Sequence, residues 1–118
     1  MKTNNTHSKS IGAIAEDIAY SYLLKEGLSL VVKNFYSRFG EIDLIMRDDT
    51  TTVFVEVKMR TKGFDCGVES ITYKKQQKLV KTANYYLLRY AKIDIPCRFD
   101  AVIITDINHI SWLKNIIS

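Results

Sequence analysis

Two short runs carry the residues whose chemistry asks for explanation. In VFVEVKMR, Val53 to Arg60, the apolar residues Val53, Val55, Val57 and Met59 alternate with Phe54, Glu56, Lys58 and Arg60. In GEIDLIM, Gly40 to Met46, the apolar Ile42, Leu44 and Met46 alternate with Glu41, Asp43 and Ile45. Side chains two apart on a strand share a face, so Glu56 points with Lys58 and Glu41 with Asp43. Between the runs lies Asp48-Asp49-Thr50-Thr51, which is turn material and predicts a hairpin. With those four residues as the loop, Arg47 stands opposite Thr52, Asp43 opposite Glu56 and Glu41 opposite Lys58.

Opposed residues in an antiparallel pair have Cβ atoms roughly 4.5–5.5 Å apart. Two carboxylates held there repel by about 3–4 kcal/mol at an effective dielectric near 20. A counter-charge is needed, and Lys58 or a divalent cation would supply it. Mg²⁺ takes oxygen ligands at about 2.0–2.1 Å, commonly one or two carboxylates with phosphate oxygens and water. Asp43, Glu56 and the backbone carbonyl of Val57 make such a set. Lys58 would then orient or help deprotonate an attacking water, or neutralise the phosphate, which is the chemistry of metal-assisted phosphodiester hydrolysis. The plainer reading of these residues is a cross-strand ion pair, Glu41 with Lys58, on a solvated face.

The elements that must position these residues follow from periodicity. Residues 1–7 read as a flexible polar tail and 8–118 as one domain, a length sufficient for a single core. After Ser8 or Ser10 as N-cap, Ile11, Ile14, Ala15, Ile18, Ala19, Tyr22 and Leu23 recur at helical spacing until Gly27. Leu28 to Phe35 reads as the first strand, followed by the hairpin. Residues 60–70 contain Gly63 and Gly67 and read as loop. A second helix is expected from Thr72 to about Tyr90, with Leu79, Val80, Ala83, Tyr86, Leu87 and Tyr90 facing inward. RFDAVIIT is a further strand after Pro96, and HISWLKNII an edge strand or irregular tail anchored by Trp112. The expected fold class is α/β, a three-layer-like sandwich with a central mixed sheet flanked by helices.

Composition excludes several classes. No apolar run approaches the roughly eighteen residues of a membrane span, and the N-terminus lacks the apolar centre of a signal peptide, so a cytoplasmic location is expected. Cys66 and Cys97 have no CxxC spacing and read as reduced thiols. With His7 and His109 besides, they assemble no sequence-local zinc cluster. The net charge of +4 is compatible with a polyanionic partner.

Taken together, D…E-x-K on adjacent strands after a helix carrying an acid resembles the PD-(D/E)xK nuclease superfamily, which includes Holliday-junction resolvases and restriction endonucleases. More narrowly, the chain resembles the small bacterial YraN-like family placed in that superfamily. The likeness covers most of the chain. It rests on Gly12 to Glu16, Gly27, Asn34, GEIDLI from Gly40, FVEVKMR from Phe54, Lys75 to Leu79, Ala83 and Arg98-Phe99-Asp100. It implies a restriction-endonuclease-like core, nuclease activity with Mg²⁺ or Mn²⁺, and metal or catalytic roles for Asp43, Glu56 and Lys58. The helical acid of resolvase-like members falls on Glu16, which it implies as an assisting residue.

Charge along the second helix fits such a partner. Lys74, Lys78 and Lys81 form a stripe with Tyr85, with no acid between Thr72 and Tyr90. Lys75 sits at the edge of the apolar face, able to reach toward the hairpin, and Arg60 and Lys62 begin the loop beside the E-x-K strand. These six are the expected nucleic-acid contacts. Arg98 and Asp100 read as a structural ion pair. No base-reading motif is present, so contact should be through backbone and shape, with branched DNA the substrate the resemblance implies. A homodimer would supply the two sites that symmetrical junction cleavage needs. Two rival readings accompany the nuclease: a nucleic-acid-binding module that does not cut, and an interaction scaffold without metal.

Overall fold

The computed structural model describes residues 10–90 and 95–117. The expected tail at 1–7 and the alternative cap Ser8 lie outside those residues. Eight elements follow in order: α1 (Ile11–Lys25), β1 (Ser29–Ser37), β2 (Gly40–Asp48), β3 (Thr51–Met59), α2 (Phe64–Glu69), α3 (Tyr73–Tyr90), β4 (Cys97–Asp106) and β5 (His109–Leu113). The strands form one mixed sheet in the order β1-β2-β3-β4-β5. Among the described residues only β3 and β4 pair in parallel, and the chain crosses between them through α2 and α3. The α/β architecture expected from the sequence is the one observed.

Helix α1 starts where Ser10 Oγ accepts the Ala13 N–H at 3.1 Å. It stops at Gly27, whose φ of 100° is open to glycine and strained for other residues. Its buried stripe, Ala15, Ala19 and Leu23, packs on Leu44, Met46, Val53, Val55, Val102 and Ile104. Helix α3 is capped by Thr72, which accepts the Lys75 N–H at 3.2 Å. It covers the opposite face, with Leu79, Ala83 and Tyr86 against Ile42, Ile45 and Phe54. Thr82 is buried, its hydroxyl donating to the Lys78 carbonyl, whereas Tyr90 is largely exposed rather than inward. Central strand β3 is therefore buried on both sides, Val53 and Val55 toward α1 and Phe54 toward α3.

The segment 60–70 is not all loop, as its glycines suggested, because it includes α2. Gly67 serves close packing there. A Cβ at this position would stand 2.5 Å from Ile103 Cγ2 on β4, so only glycine lets α2 lie this near the sheet. At the other end of the sheet, Asp100 is fully buried and four donor contacts satisfy it. Arg98 Nε reaches both oxygens at 3.1 Å, Trp112 Nε1 donates at 3.0 Å, and the Asn115 N–H donates at 2.9 Å. Arg98 also bonds Asp48 at 3.0 Å. Arg98–Asp100 is thus the structural pair expected, and Trp112 the anchor of β5. Cys66 and Cys97 are free thiols. None of the described helices is long and apolar enough to cross a membrane.

Candidate metal and nucleic-acid site

The hairpin has the register expected from its turn. Arg47 pairs Thr52, and the ladder runs back to Leu44 opposite Val55. Asp48 also pairs Thr51, so the turn proper is Asp49-Thr50 rather than four residues. The ladder ends there, and Asp43 and Glu56, the next residue of each strand, face one cleft without forming a ladder pair. There the Asp43 side chain bonds the partner strand, as Oδ2 accepts the Val57 N–H at 2.8 Å.

A local reversal in the sheet aims Asp43. On β1, Lys33 meets Asp17 of α1 at 2.6 Å, while Phe35, two residues on, packs against Tyr86 of α3 with ring centroids 5.2 Å apart. On β2, Leu44 belongs to the α1 side and Ile42 to the α3 side. Simple alternation would put each pair on one face. Both strands change face between Lys33↔Leu44 and Phe35↔Ile42, where the ladder skips Asn34 and Asp43. Asn34 has φ 56°, a left-handed conformation that asparagine tolerates better than most residues. The expected common face of Ile42, Leu44 and Met46 is therefore broken at Asp43. That carboxylate ends up at the open end of the sheet between α1 and α3.

Glu56 is 3% exposed and holds two ammoniums on one oxygen. Lys58 Nζ and Lys75 Nζ each lie 3.1 Å from Oε2. Lys58 thus pairs with Glu56 on its own strand, and the Glu41–Lys58 pair of the plainer reading is not the one formed. Burial pushes the Asp43 carboxyl up to about 7, with the Glu56 charge the next largest cause and Glu16 and Glu41 adding to it. The Val57 N–H works in the other direction. For Lys75, burial favours the neutral amine, but the charge and hydrogen bond of Glu56 outweigh it and the ammonium is held above its usual range.

These groups line a cleft of ≈ 260 Å³, floored by Gly12 and Ala15 of α1 and walled by the end of β3. It lies toward the carboxyl end of β3, the end at which open α/β sheets receive ligands. Asp43, Glu56, Val57, Lys58, Glu16, Arg60 and Lys75 are brought together here. Arg60 also donates from Nη1 to the Met59 carbonyl at 2.8 Å. Lys62, Lys74, Lys78 and Lys81 are exposed outside that lining. Among the described residues no three His, Cys, Asp or Glu side chains form a ready-made cation cage.

Two features go further than the sequence reading, which put Glu41 on the face of Asp43 and let Lys75 reach toward the hairpin. Glu41 borders the cleft as part of its acidic lining, and Lys75 is an immediate partner of Glu56 rather than a peripheral phosphate contact alone. Helical phase placed Lys75 at the apolar edge, but only the packing of α3 across β2 fixes what it reaches.

Comparison with known proteins agrees along most of the chain. The model of the uncharacterised protein family UPF0102 matches residues 15–104. A UPF0102 protein of Legionella pneumophila is 47% identical over 107 residues, covering 88% of this chain and 91% of that protein. One from Nitrosomonas europaea is 49% identical over 107 residues, with 88% and 90% covered. One from Coxiella burnetii is 46% identical over 112 residues, with 93% of each covered. On a family match spanning the whole hairpin and relatives aligned nearly end to end, the chain belongs to the UPF0102 family.

Proposed function

We propose that this protein hydrolyses phosphodiester bonds in nucleic acid, more specifically DNA, with Mg²⁺ or Mn²⁺ as cofactor. The observation that carries the reading is the juxtaposition of Asp43 with Glu56 at an open, acid-lined cleft that also holds two lysines. A fold keeps a carboxylate pushed up to about 7 at a cost, and a site for positive charge offsets that cost.

The donor set suits a hard cation. Asp43, Glu56 and the Val57 carbonyl would hold it, with water and phosphate oxygens completing the set, as is usual for Mg²⁺. When bound, the cation would lower the pKa of water and offset charge on the phosphate. Lys58, kept in place by Glu56, serves to orient the attacking water and stabilise the phosphate oxygens. Glu16 supports the cation side of the cleft. Arg60 at the rim, with Lys62, Lys74, Lys78 and Lys81 beyond it, attracts the sugar–phosphate backbone without reading bases. In the reaction the water oxygen bonds phosphorus, the phosphorus–oxygen ester bond breaks, and the leaving oxygen takes up a proton.

One observation favours a second reading, a nucleic-acid-binding module that does not cut. Lys58 and Lys75 already balance the charge of Glu56 without a cation. Incubation with branched and single-stranded DNA in Mg²⁺ or Mn²⁺ separates the two. The nuclease reading expects cleavage that vanishes in Glu56→Ala and Lys58→Ala. Salt-sensitive binding with no cleavage in either metal would replace it with the second.

A further inference from the structure

The cleft at Glu56 does not end at Lys75. A second hollow, formed by Gly40, Glu41, Lys75, Lys78 and Leu79, shares Glu41 and Lys75 with it. A third, of ≈ 370 Å³, follows on the same helix and is lined by Arg38, Phe39, Lys81, Asn84, Tyr85 and Leu88. The second and third share no lining residue but are neighbours along the chain, Arg38 and Phe39 of the β1–β2 turn lining one and Gly40, the first residue of β2, the other. Lys75, Lys78, Lys81, Tyr85 and Leu88 recur every three or four residues, so the three hollows follow α3 for about 20 Å, drifting around it from the edge of its apolar face.

The chemistry changes along this track. At its start lie the acids, Glu41 included. Beyond Glu41 the charged residues of the lining are cations, Arg38, Lys78 and Lys81, all exposed. Two aromatic rings stand among them. Phe39 and Tyr85 are 6.2 Å apart, with the Arg38 guanidinium 4.9 Å from the Phe39 centroid and that of Arg89 5.7 Å from Tyr85. These rings could merely close the edge of the core. Tyr85 does touch that edge, its ring 6.2 Å from Phe35, yet Phe39 and Tyr85 are only half-buried and border an open hollow beside Leu88, which is 71% exposed.

We infer that this track binds an unpaired nucleic-acid strand leading into the cleft, with phosphates on Arg38, Lys78 and Lys81 and a base stacked at Phe39 and Tyr85. The inference rests on the nucleic-acid reading of that cleft and adds a substrate class to it. Bases in a duplex are stacked on one another and present only backbone and groove edges, which would leave both rings unused. An unpaired strand offers alternating phosphate and π-face, the combination that cationic residues interleaved with aromatics recognise.

The test is binding in EDTA by the full chain, read as fluorescence anisotropy of a labelled oligothymidylate and of a duplex of equal length. The oligothymidylate should bind more tightly. Phe39→Leu and Tyr85→Leu should each weaken that binding about 5- to 100-fold while leaving duplex binding unchanged. Tyr85→Phe, which keeps the ring, should bind like the wild type, excluding a general loss of fold. Equal affinity for duplex, or variants that weaken both ligands alike, would overturn the inference. Because no metal is present, a failure to cleave does not bear on this outcome. Lost strand selectivity likewise leaves metal-dependent cleavage standing.

Discussion

Lys75 on α3 reaches Glu56 on β3 with 3.1 Å between Nζ and Oε2, tying the outer helix layer to the central strand at the mouth of the cleft. The contact matters because Glu56 is almost fully buried and Lys75 is not, 3% against 38% exposed. A buried carboxylate with no partner would be costly, whereas a half-exposed lysine loses little by turning to solvent. The bond is therefore one that the carboxylate needs more than the lysine does. It is also one that a cation or a phosphate could exchange.

Removing that lysine should cost little while Lys58 remains. Orphaning a buried charge destabilises by about 3–5 kcal/mol, but Lys75→Met leaves Glu56 one ammonium, so about 1 kcal/mol is expected in metal-free urea unfolding. In a Glu56→Gln background the same substitution should cost close to nothing. An equal cost in both backgrounds would show that Lys75 acts through packing of its stem and not through the pair.

Asp43 sets a pH dependence whose sign is opposite to that of an ordinary ion-paired acid. Its carboxyl goes from a usual 3.8 to about 7 in the fold, so between those values the folded state binds the proton more tightly. Stability must then fall as pH rises from about 4 to about 7 and level off above. The change is on the order of 2 kcal/mol, below the fully buried limit because Asp43 is only half-buried. Asp43→Asn keeps an acceptor for the Val57 N–H and removes the charge. In EDTA at pH 8 it should be more stable than the wild type, with a flatter profile. A less stable variant would mean that the Asp43 charge is compensated within the protein.

If the proposed cation site is correct, the same argument makes its binding pH-dependent. Mg²⁺ at a hundred times its dissociation constant stabilises by about 2.7 kcal/mol. It should raise the melting temperature at pH 8 and much less at pH 5, where Asp43 carries a proton. EDTA should reverse the shift, and Asp43→Asn and Glu56→Gln should abolish it. A shift of equal size at both pH values would place the cation elsewhere.

How far the sequence foretold this site depended on whether a local rule governed it. The turn at Asp49-Thr50 fixes the hairpin register, and register follows from counting, so Asp43 and Glu56 could be brought together from spacing alone. Ser10 and Thr72 start their helices, and Gly27 stops one, by hydrogen bonding and backbone geometry that act over a few residues. The face reversal at Asn34 and Asp43 left no such trace. Ile42, Leu44 and Met46 still alternate perfectly in sequence, and a single left-handed residue on the neighbouring strand sends Ile42 to the other side. The reach of Lys75 depends on how α3 crosses the sheet. Phe39 and Tyr85 are 46 positions apart and meet only in the fold.

Helix α2 supplies a case where packing, not charge, should govern the cleft. It follows directly on Arg60 and Lys62, and Gly67 sets its height above β4. Ile103 is completely buried and β-branched, so its Cγ2 cannot swing away from an added Cβ 2.5 Å distant. Gly67→Ala should therefore cost about 1–3 kcal/mol by overpacking, although alanine is the better helix former. Ile103→Ala opens space and should itself destabilise by about 2–5 kcal/mol. Combined, the two should cost less than their sum, because each relieves part of what the other does. Urea unfolding of the four proteins measures that coupling. Strict additivity would mean that α2 shifts freely over β4, and that the loop carrying Arg60 and Lys62 is not held by this contact.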